Sequence, residues 1–244
     1  AVALKADEFK ILTDVDGVYK TDPNVYKKAK KIEKICFEEM LELSSLGAKV
    51  LQIRSVEFAS KYEMPIRVLS SFNSTGGTLI TKEESSLESA VISGITCTND
   101  DSKLILRDVP DTPGIAAKIL SPISEAGIDI DVIVQNVGSD KLTDFTFTVK
   151  NDHSDKAAEI LNDLVKTLGG GEIELVKDIS KVSIVGVGMK SHAGVAAQMF
   201  KALAEKQINI DMISTSEIKI SVVVSKDKSE AAVIALHDEF GLDK

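Results

Sequence analysis

The sequence predicts an α/β layer over residues 1–81, followed by two small α+β modules of the ferredoxin-like kind. Three observations carry this prediction. The first is an internal repeat: residues 113–135 read PGIAAKILSPISEAGIDIDVIVQ and residues 193–215 read AGVAAQMFKALAEKQINIDMIST. The two align without a gap, Gly114 on Gly194, Glu125 on Glu205, Ile128 on Ile208 and Asp131 on Asp211. A unit of this size exceeds a helical solenoid repeat and suits a small α/β module. The second observation is the order of elements within each repeat. The third is the alternation of short apolar strands with helical patterns before residue 81.

In the first segment, Phe9–Thr13 (FKILT) reads as a strand that ends in the polar turn DVDG. A second turn is expected at Thr21-Asp22-Pro23-Asn24, where proline fixes φ. Phe37, Met40, Leu41 and Leu43 lie at helical spacing and predict a helix over Phe37–Leu46 that stops at Gly47. Val50–Ile53 reads as a short strand or turn, Ser55–Tyr62 as a helix, Ile66–Leu69 as a strand, and Ser70–Thr75 with Gly76-Gly77 as a loop. A mostly parallel sheet is expected. Residues 82–89 (KEESSLES from Lys82) are polar and read as a linker.

The first module, residues 90–177, has the order βαββαβ. Leu104–Val109 is a strand, Pro113–Ala126 a helix with proline in its first turn, and Ile128–Val137 with Asp144–Val149 a hairpin. Asp155–Leu168 is a second helix that ends at Gly169-Gly170-Gly171, and Glu172–Val176 is the last strand. The second module, residues 178–244, repeats the pattern: a strand over Val182–Val187, a helix over Gly194–Lys206, a hairpin over Ile210–Ser216 and Ile218–Val224, and a helix over Lys228–Phe240. It lacks a final strand, whereas Ala90–Thr96 (AVISGIT) is a strand with no place in the first count. An unpaired sheet edge is a liability, so residues 90–96 are expected to complete the second module. Extension of the linker, or pairing inside the first module, is the alternative.

Composition narrows the function. The net charge of −9 argues against a nucleic-acid surface, which needs clustered Lys and Arg. The densest basic run, Lys27-Lys28-Ala29-Lys30-Lys31, reads as a solvated face. No apolar run approaches a membrane span and no signal peptide is visible. Cys36 and Cys97 read as reduced, packed thiols in a cytoplasmic protein, with none of the neighbours a metal site needs. The start, Ala1-Val2-Ala3-Leu4, reads like the tail of a helix and suggests a piece of a longer chain.

Each module carries a tight loop between strand and helix: Asp111-Thr112-Pro113-Gly114 and Ser191-His192-Ala193-Gly194. Glycine permits close backbone approach, and the helix N-terminus that follows offers free N–H groups. The pair suits the carboxylate of a small amino acid, with Asp111 holding its ammonium. Simple helix capping by Asp111, with proline at the first helical position, is the other reading.

The chain resembles the aspartate kinases. The D-x-P-G loop, the run VIVQNV, and GMKSHAGVAAQMF with INIDMISTSEIKISVVV match their paired ACT domains. TDVDGVYKTDP at 13–23, EEMLELSSLGAKVL at 38–51 and SSFNSTGGTLI at 70–80 match the second half of their catalytic domain. The resemblance implies the C-terminal part of an amino-acid-kinase α/β domain followed by two ferredoxin-like βαββαβ ACT domains. It also implies ATP with Mg2+ as cofactor, aspartate as phosphoryl acceptor, and threonine, lysine or both as feedback effectors. Thr13, Asp14 and Tyr19 would line the nucleotide base and ribose, and Lys49 would reach the phosphates; read without the family, these are turn formers and a surface lysine. Asn24 stands where the family often has Arg, and Gln52 and Ile53 replace a His-Pro pair, which bears on the phosphate contacts. Effector contacts would come from Asp111, Gly114, Ala116, Gln135 and Thr143 of the first module. Asn209 and Ile210 of the second would close the site, and Met189, His192, Thr215 and Glu217 would line the equivalent pocket. The family's N-terminal glycine-rich motif and aspartate-binding residues would lie upstream of residue 1, so no catalytic residue is assigned and the piece is expected to be inactive alone. Assembly through ACT domains into a homodimer or larger oligomer is expected. A stand-alone amino-acid-sensing or dimerisation module is the alternative function.

Overall fold

The computed structural model describes residues 1–73, 76–83, 91–138, 141–168 and 171–243, with the side chain of Val137 also left aside. The expected linker, the start of the strand expected at 90–96, two residues of the 70–75 loop and the glycines at 169 and 170 fall wholly or partly outside these residues. The chain forms two compact units, Ala1–Thr98 with Lys181–Lys244, and Asn99–Ser180.

The first unit opens with a 3-10 turn at Val2–Leu4. Its first layer contains β1 (Phe9–Thr13), β2 (Lys34–Cys36), α1 (Phe37–Ser45), α2 (Ile53–Lys61), β3 (Ile66–Ser70) and β4 (Thr78–Thr81). The sheet order is β1-β3-β4-β2. β1 and β3 are parallel, as are β2 and β4, so the sheet is mostly parallel as expected, with one antiparallel join between β3 and β4. The physical reason is the short connection from Ser70 to Thr78, which leaves no room for a crossover helix. α1 forms where expected because Phe37, Met40 and Leu43 bury at three-residue spacing. Its start is a capping box: Cys36 Sγ accepts from the Glu39 amide, and the Glu39 carboxylate accepts from the Cys36 amide.

β5 (Gly94–Thr98) leads into the second unit, which contains β6 (Asp101–Pro110), α3 (Ile115–Glu125), β7 (Ile130–Val137), β8 (Leu142–Lys150), α4 (Ser154–Leu168) and β9 (Glu172–Val176). The sheet order β7-β8-β6-β9 gives the βαββαβ arrangement. One sheet face buries Leu104, Leu106, Phe145 and Phe147 against Ile119, Ile123 and Leu161 of the two helices. α3 starts two residues later than expected, because Pro113 precedes the Gly114 N-cap instead of occupying the first turn.

The chain then re-enters the first unit through β10 (Ile179–Val185), α5 (Val195–Glu205), β11 (Met212–Thr215), β12 (Lys219–Ser225) and α6 (Ser229–Glu239). The sheet order here is β11-β12-β10-β5, with β5 antiparallel to β10 and Thr98 opposite Lys181. Ile95 of β5 joins Val182, Ile184, Met199, Leu203, Val222 and Leu236 in one core. The β11–β12 hairpin is the shorter of the two, four and seven residues against eight and nine in β7 and β8. This module and the first layer are packed together: Val185 lies in the core of the layer, and Val25 packs on the core of the module. Gly186, just after β10, lets the chain entering β5 come close, since a Cβ there would lie 2.2 Å from the Val91 carbonyl.

Candidate functional site

On the first layer, Thr13 ends β1 and its hydroxyl donates to the Asp14 carboxylate at 2.9 Å. The backbone then folds into a small antiparallel ladder in which Ile32 N donates to Val18 O, Lys20 N donates to Lys30 O, and Tyr19 bridges Lys31. Thr78 of β4 clamps this ladder, accepting from Val18 N at 2.8 Å and donating to Ile32 O at 2.5 Å. The ladder sets Tyr19 and Lys31 on either side of Asp16: Tyr19 Oη donates to Asp16 Oδ1 at 2.8 Å, and Lys31 Nζ lies 3.1 Å from Asp16 Oδ2. The Tyr19 hydrogen bond, supported by Lys31, holds the Asp16 carboxyl below its ordinary value. The same hydrogen bond, with burial, pushes the Tyr19 phenol up.

Lys31 is therefore half-buried and paired with Asp16, in contrast to the solvated reading of its basic run, while Lys27, Lys28 and Lys30 are exposed. The sequence reading placed Asp16 only in the polar DVDG turn and did not join it to Lys31. Lys49 follows α1 in an exposed turn, and no hydrogen bond or ion pair ties it to Thr13, Asp14 or Tyr19 among the described residues. Asn24 closes its own turn, its amide and side chain both donating to Asp22 Oδ1, while Gln52 caps α2 through its Arg54 hydrogen bond.

The paired loops share one backbone device. Gly114 caps α3 with φ 92 and ψ 0, and Gly194 caps α5 with φ 95 and ψ −4. Both are left-handed, and no atom lies within 4 Å of a Cβ built on either, so the backbone angle and not crowding calls for glycine. Neither helix has a side-chain cap, and the first amide of α3, that of Ile115, already donates to the Thr112 carbonyl at 3.1 Å. Asp111 does not cap: its amide donates to the Lys141 carbonyl, and its carboxylate has no hydrogen bond among the described residues. A left-handed Asp108 (φ 53), whose amide donates to Asp144, makes the bulge in β6 that turns the strand into this loop.

The other candidates are dispersed. Ala116 is half-buried on α3, and Gln135 is exposed on β7 opposite Phe145. Thr143 is buried, with its hydroxyl donated to the Asn136 carbonyl. In the second module, Met189 lies in a 3-10 turn, Val187–Ser191, and packs on the core. His192 Nδ1 donates to the Gly188 carbonyl at 2.7 Å, which fixes the end of that turn. Asn209 donates to Asp211, Ile210 is half-buried, Thr215 pairs with Ile220, and Glu217 is exposed in the hairpin turn. Asp111, Gly114, Ala116, Gln135 and Thr143 thus belong to one compact unit, and Met189, His192, Asn209, Ile210, Thr215 and Glu217 to the other.

A kinase-type layer carrying two modules of one fold, each with the same glycine-capped loop, defines a class. Residues 1–70 match the amino acid kinase family, and residues 104–167 and 182–240 each match the ACT domain. Over its whole length the chain is 60% identical to an aspartate kinase of Pseudomonas fluorescens and spans 59% of that protein. It is 42% identical to the regulatory subunit of aspartate kinase from Thermus thermophilus, covering 99% of that subunit with 62% of its own length at a TM-score of 0.59. E. coli aspartokinase III, 25% identical, matches 98% of the chain over 53% of its own, with a TM-score of 0.81 in complex with aspartate and ADP (R-state) and 0.78 with lysine and aspartate (T-state). The chain belongs to the aspartate kinase family.

Proposed function

We propose that this chain is the regulatory portion, with part of the nucleotide side, of an ATP-dependent aspartate kinase held under feedback control by threonine, lysine or both. The intact enzyme transfers the γ-phosphoryl group of ATP to the side-chain carboxylate of aspartate. The carboxylate oxygen bonds to phosphorus as the bond to the bridging oxygen of ADP breaks. Such a step depends on positioning and charge neutralisation. Thr13, Asp14 and Tyr19 would meet the base and ribose, and the exposed Lys49, a compact charge, would meet phosphate oxygens. Mg2+ enters on those phosphates.

The observation that carries the regulatory half is the duplicated loop, with helix N-termini behind Gly114 and Gly194 that no side chain caps and, beside the first, the Asp111 carboxylate, which has no hydrogen bond among the described residues. The N–H groups suit an effector carboxylate and Asp111 its ammonium. Gln135 and Thr143 in the first module, and Met189, His192, Asn209, Ile210, Thr215 and Glu217 in the second, would shape specificity. Effector binding would bias a two-state arrangement with a coupling of about 1–3 kcal/mol. ACT-mediated dimerisation would complete the assembly. A stand-alone sensing module is the second reading, favoured by the likeness to the Thermus regulatory subunit; the match of residues 1–70 to the kinase family weighs against it.

The test is the full-length protein assayed for ADP release with aspartate, with and without threonine and lysine. Aspartate-dependent release that either effector suppresses is expected. Release that neither effector alters would leave the modules a purely structural role.

A further inference from the structure

The scheme above makes no use of Glu39, although its carboxylate is the most connected buried acid of the first unit. Glu39 sits in the first turn of α1 with 5% exposure. One oxygen accepts from Ser93 Oγ at 2.5 Å and from the Val187 amide at 3.0 Å; the other accepts from the Cys36 amide at 3.4 Å. One carboxylate therefore joins α1, the chain entering β5, and the turn Val187–Ser191 that leaves β10. Its neighbours on the helix reach the same module, Glu38 to Lys190 at 3.2 Å and Glu42 to Lys219 at 3.0 Å. Exposed pairs such as Glu38–Lys190 hold little by themselves. A buried carboxylate is different, because leaving one of its donors unmatched is costly.

The two ends of α1 explain why this matters. At its start, Glu39 grips the turn that contains Met189 and runs on to His192 and Gly194, the loop of the second module. At its finish, Leu46-Gly47-Ala48 leads directly to Lys49. A helix of nine residues is a rod about 13 Å long. A shift of the 187–194 loop must either drag the rod or break the Val187–Glu39 hydrogen bond, and the buried setting makes breaking expensive.

We propose that Glu39 is a positioning residue that passes the state of the 187–194 loop along α1 to Lys49. This rests on the reading of that loop as an amino-acid sensor. Glu39 touches neither nucleotide nor aspartate in this scheme; it sets how strongly inhibition is transmitted.

The test uses the full-length enzyme with Glu39→Gln and, separately, Ser93→Ala. Glutamine serves at this position of a capping box, so α1 is retained. Its amide nitrogen cannot accept, however, so either Val187 N or Cys36 N loses its partner. Ser93→Ala removes one donor and leaves Glu39 in place. For each protein the uninhibited rate, the residual rate at saturating effector and the effector affinity by calorimetry are measured. The expected result is an uninhibited rate within about twofold of wild type and inhibition at saturation weakened at least about fivefold, the low end of typical coupling. Inhibition of Glu39→Gln to the wild-type extent would overturn the proposal. So would a parallel fall in uninhibited rate and inhibition, which marks a purely structural role. If Glu39→Gln does not fold, Ser93→Ala decides by the same criteria. If the wild type binds neither amino acid, the sensing reading fails first and the joint falls with it, an outcome distinguished by the wild-type titration alone.

Discussion

His237 lies on α6 with no exposed surface, and neither ring nitrogen has a hydrogen-bond partner among the described residues. Its ring stacks on Tyr26 of the first layer with centroids 4.0 Å apart, and Tyr26 Oη reaches Asp238 at 3.3 Å. Burial favours the neutral imidazole and holds its pKa below the ordinary 6.5; Asp243 and Asp238 pull the other way, and Lys20 adds to burial. For a base lowered in this way the stabilisation is full above the unfolded value and is lost as pH falls through the folded one. The unfolding temperature should therefore drop between pH 7 and pH 5, and His237→Leu should flatten part of that slope. An unchanged slope in the variant would assign the acid sensitivity elsewhere. None of this was legible in the sequence, where His237 is one more helix residue, because the missing partners are a property of packing. Lys31 and Asp16 were hidden for the same reason: the ladder that joins them depends on Thr78, sixty residues away from Val18 in the chain. Cys36 was read as a packed thiol, and burial indeed pushes it up to about 12, but its role as helix cap needed the geometry.

Elements with a clean period were legible, and elements without one were not. The β7–β8 and β11–β12 hairpins, both helices of each module and the glycine-capped loops all follow from alternation, helical spacing and the repeat itself. β2 escaped because three residues, two of them apolar, carry no period, and the start of α3 was misplaced because proline at a helix start fits two positions. β5 follows from a counting argument: a module short of one edge strand and an extra strand upstream of the first module. Its pairing with β10 has a consequence that can be tested. Thr98 and Lys181 face each other in antiparallel register, and everything between them forms the other compact unit. A two-residue Asn-Gly link from Thr98 to Lys181 should therefore close a hairpin and leave the first unit folded without residues 99–180. Circular dichroism and a cooperative thermal transition would check this. A molten product would show that the first unit depends on the second for its fold.

Across the whole molecule, the division of labour was legible because the chain repeats itself: two modules of one fold beside a kinase layer imply regulation attached to chemistry. What the sequence left open is how the first layer meets its neighbour. Val185 in the layer's core and Glu39 on the Val187 amide are contacts distant in the chain, and no local pattern announces them. Together they help make the layer and the second module one compact unit. The first module is a separate compact unit with its own core and carries Asp111. Titration calorimetry of this chain with threonine and with lysine, on the wild type and on Asp111→Ala, tests the sensing claim most directly. Saturable binding of at least one amino acid, weakened about tenfold or more in Asp111→Ala with an unchanged unfolding temperature, is the predicted result, as befits loss of a charge-assisted hydrogen bond. Absence of saturable binding by either amino acid, in a sample with a cooperative unfolding transition, would contradict it.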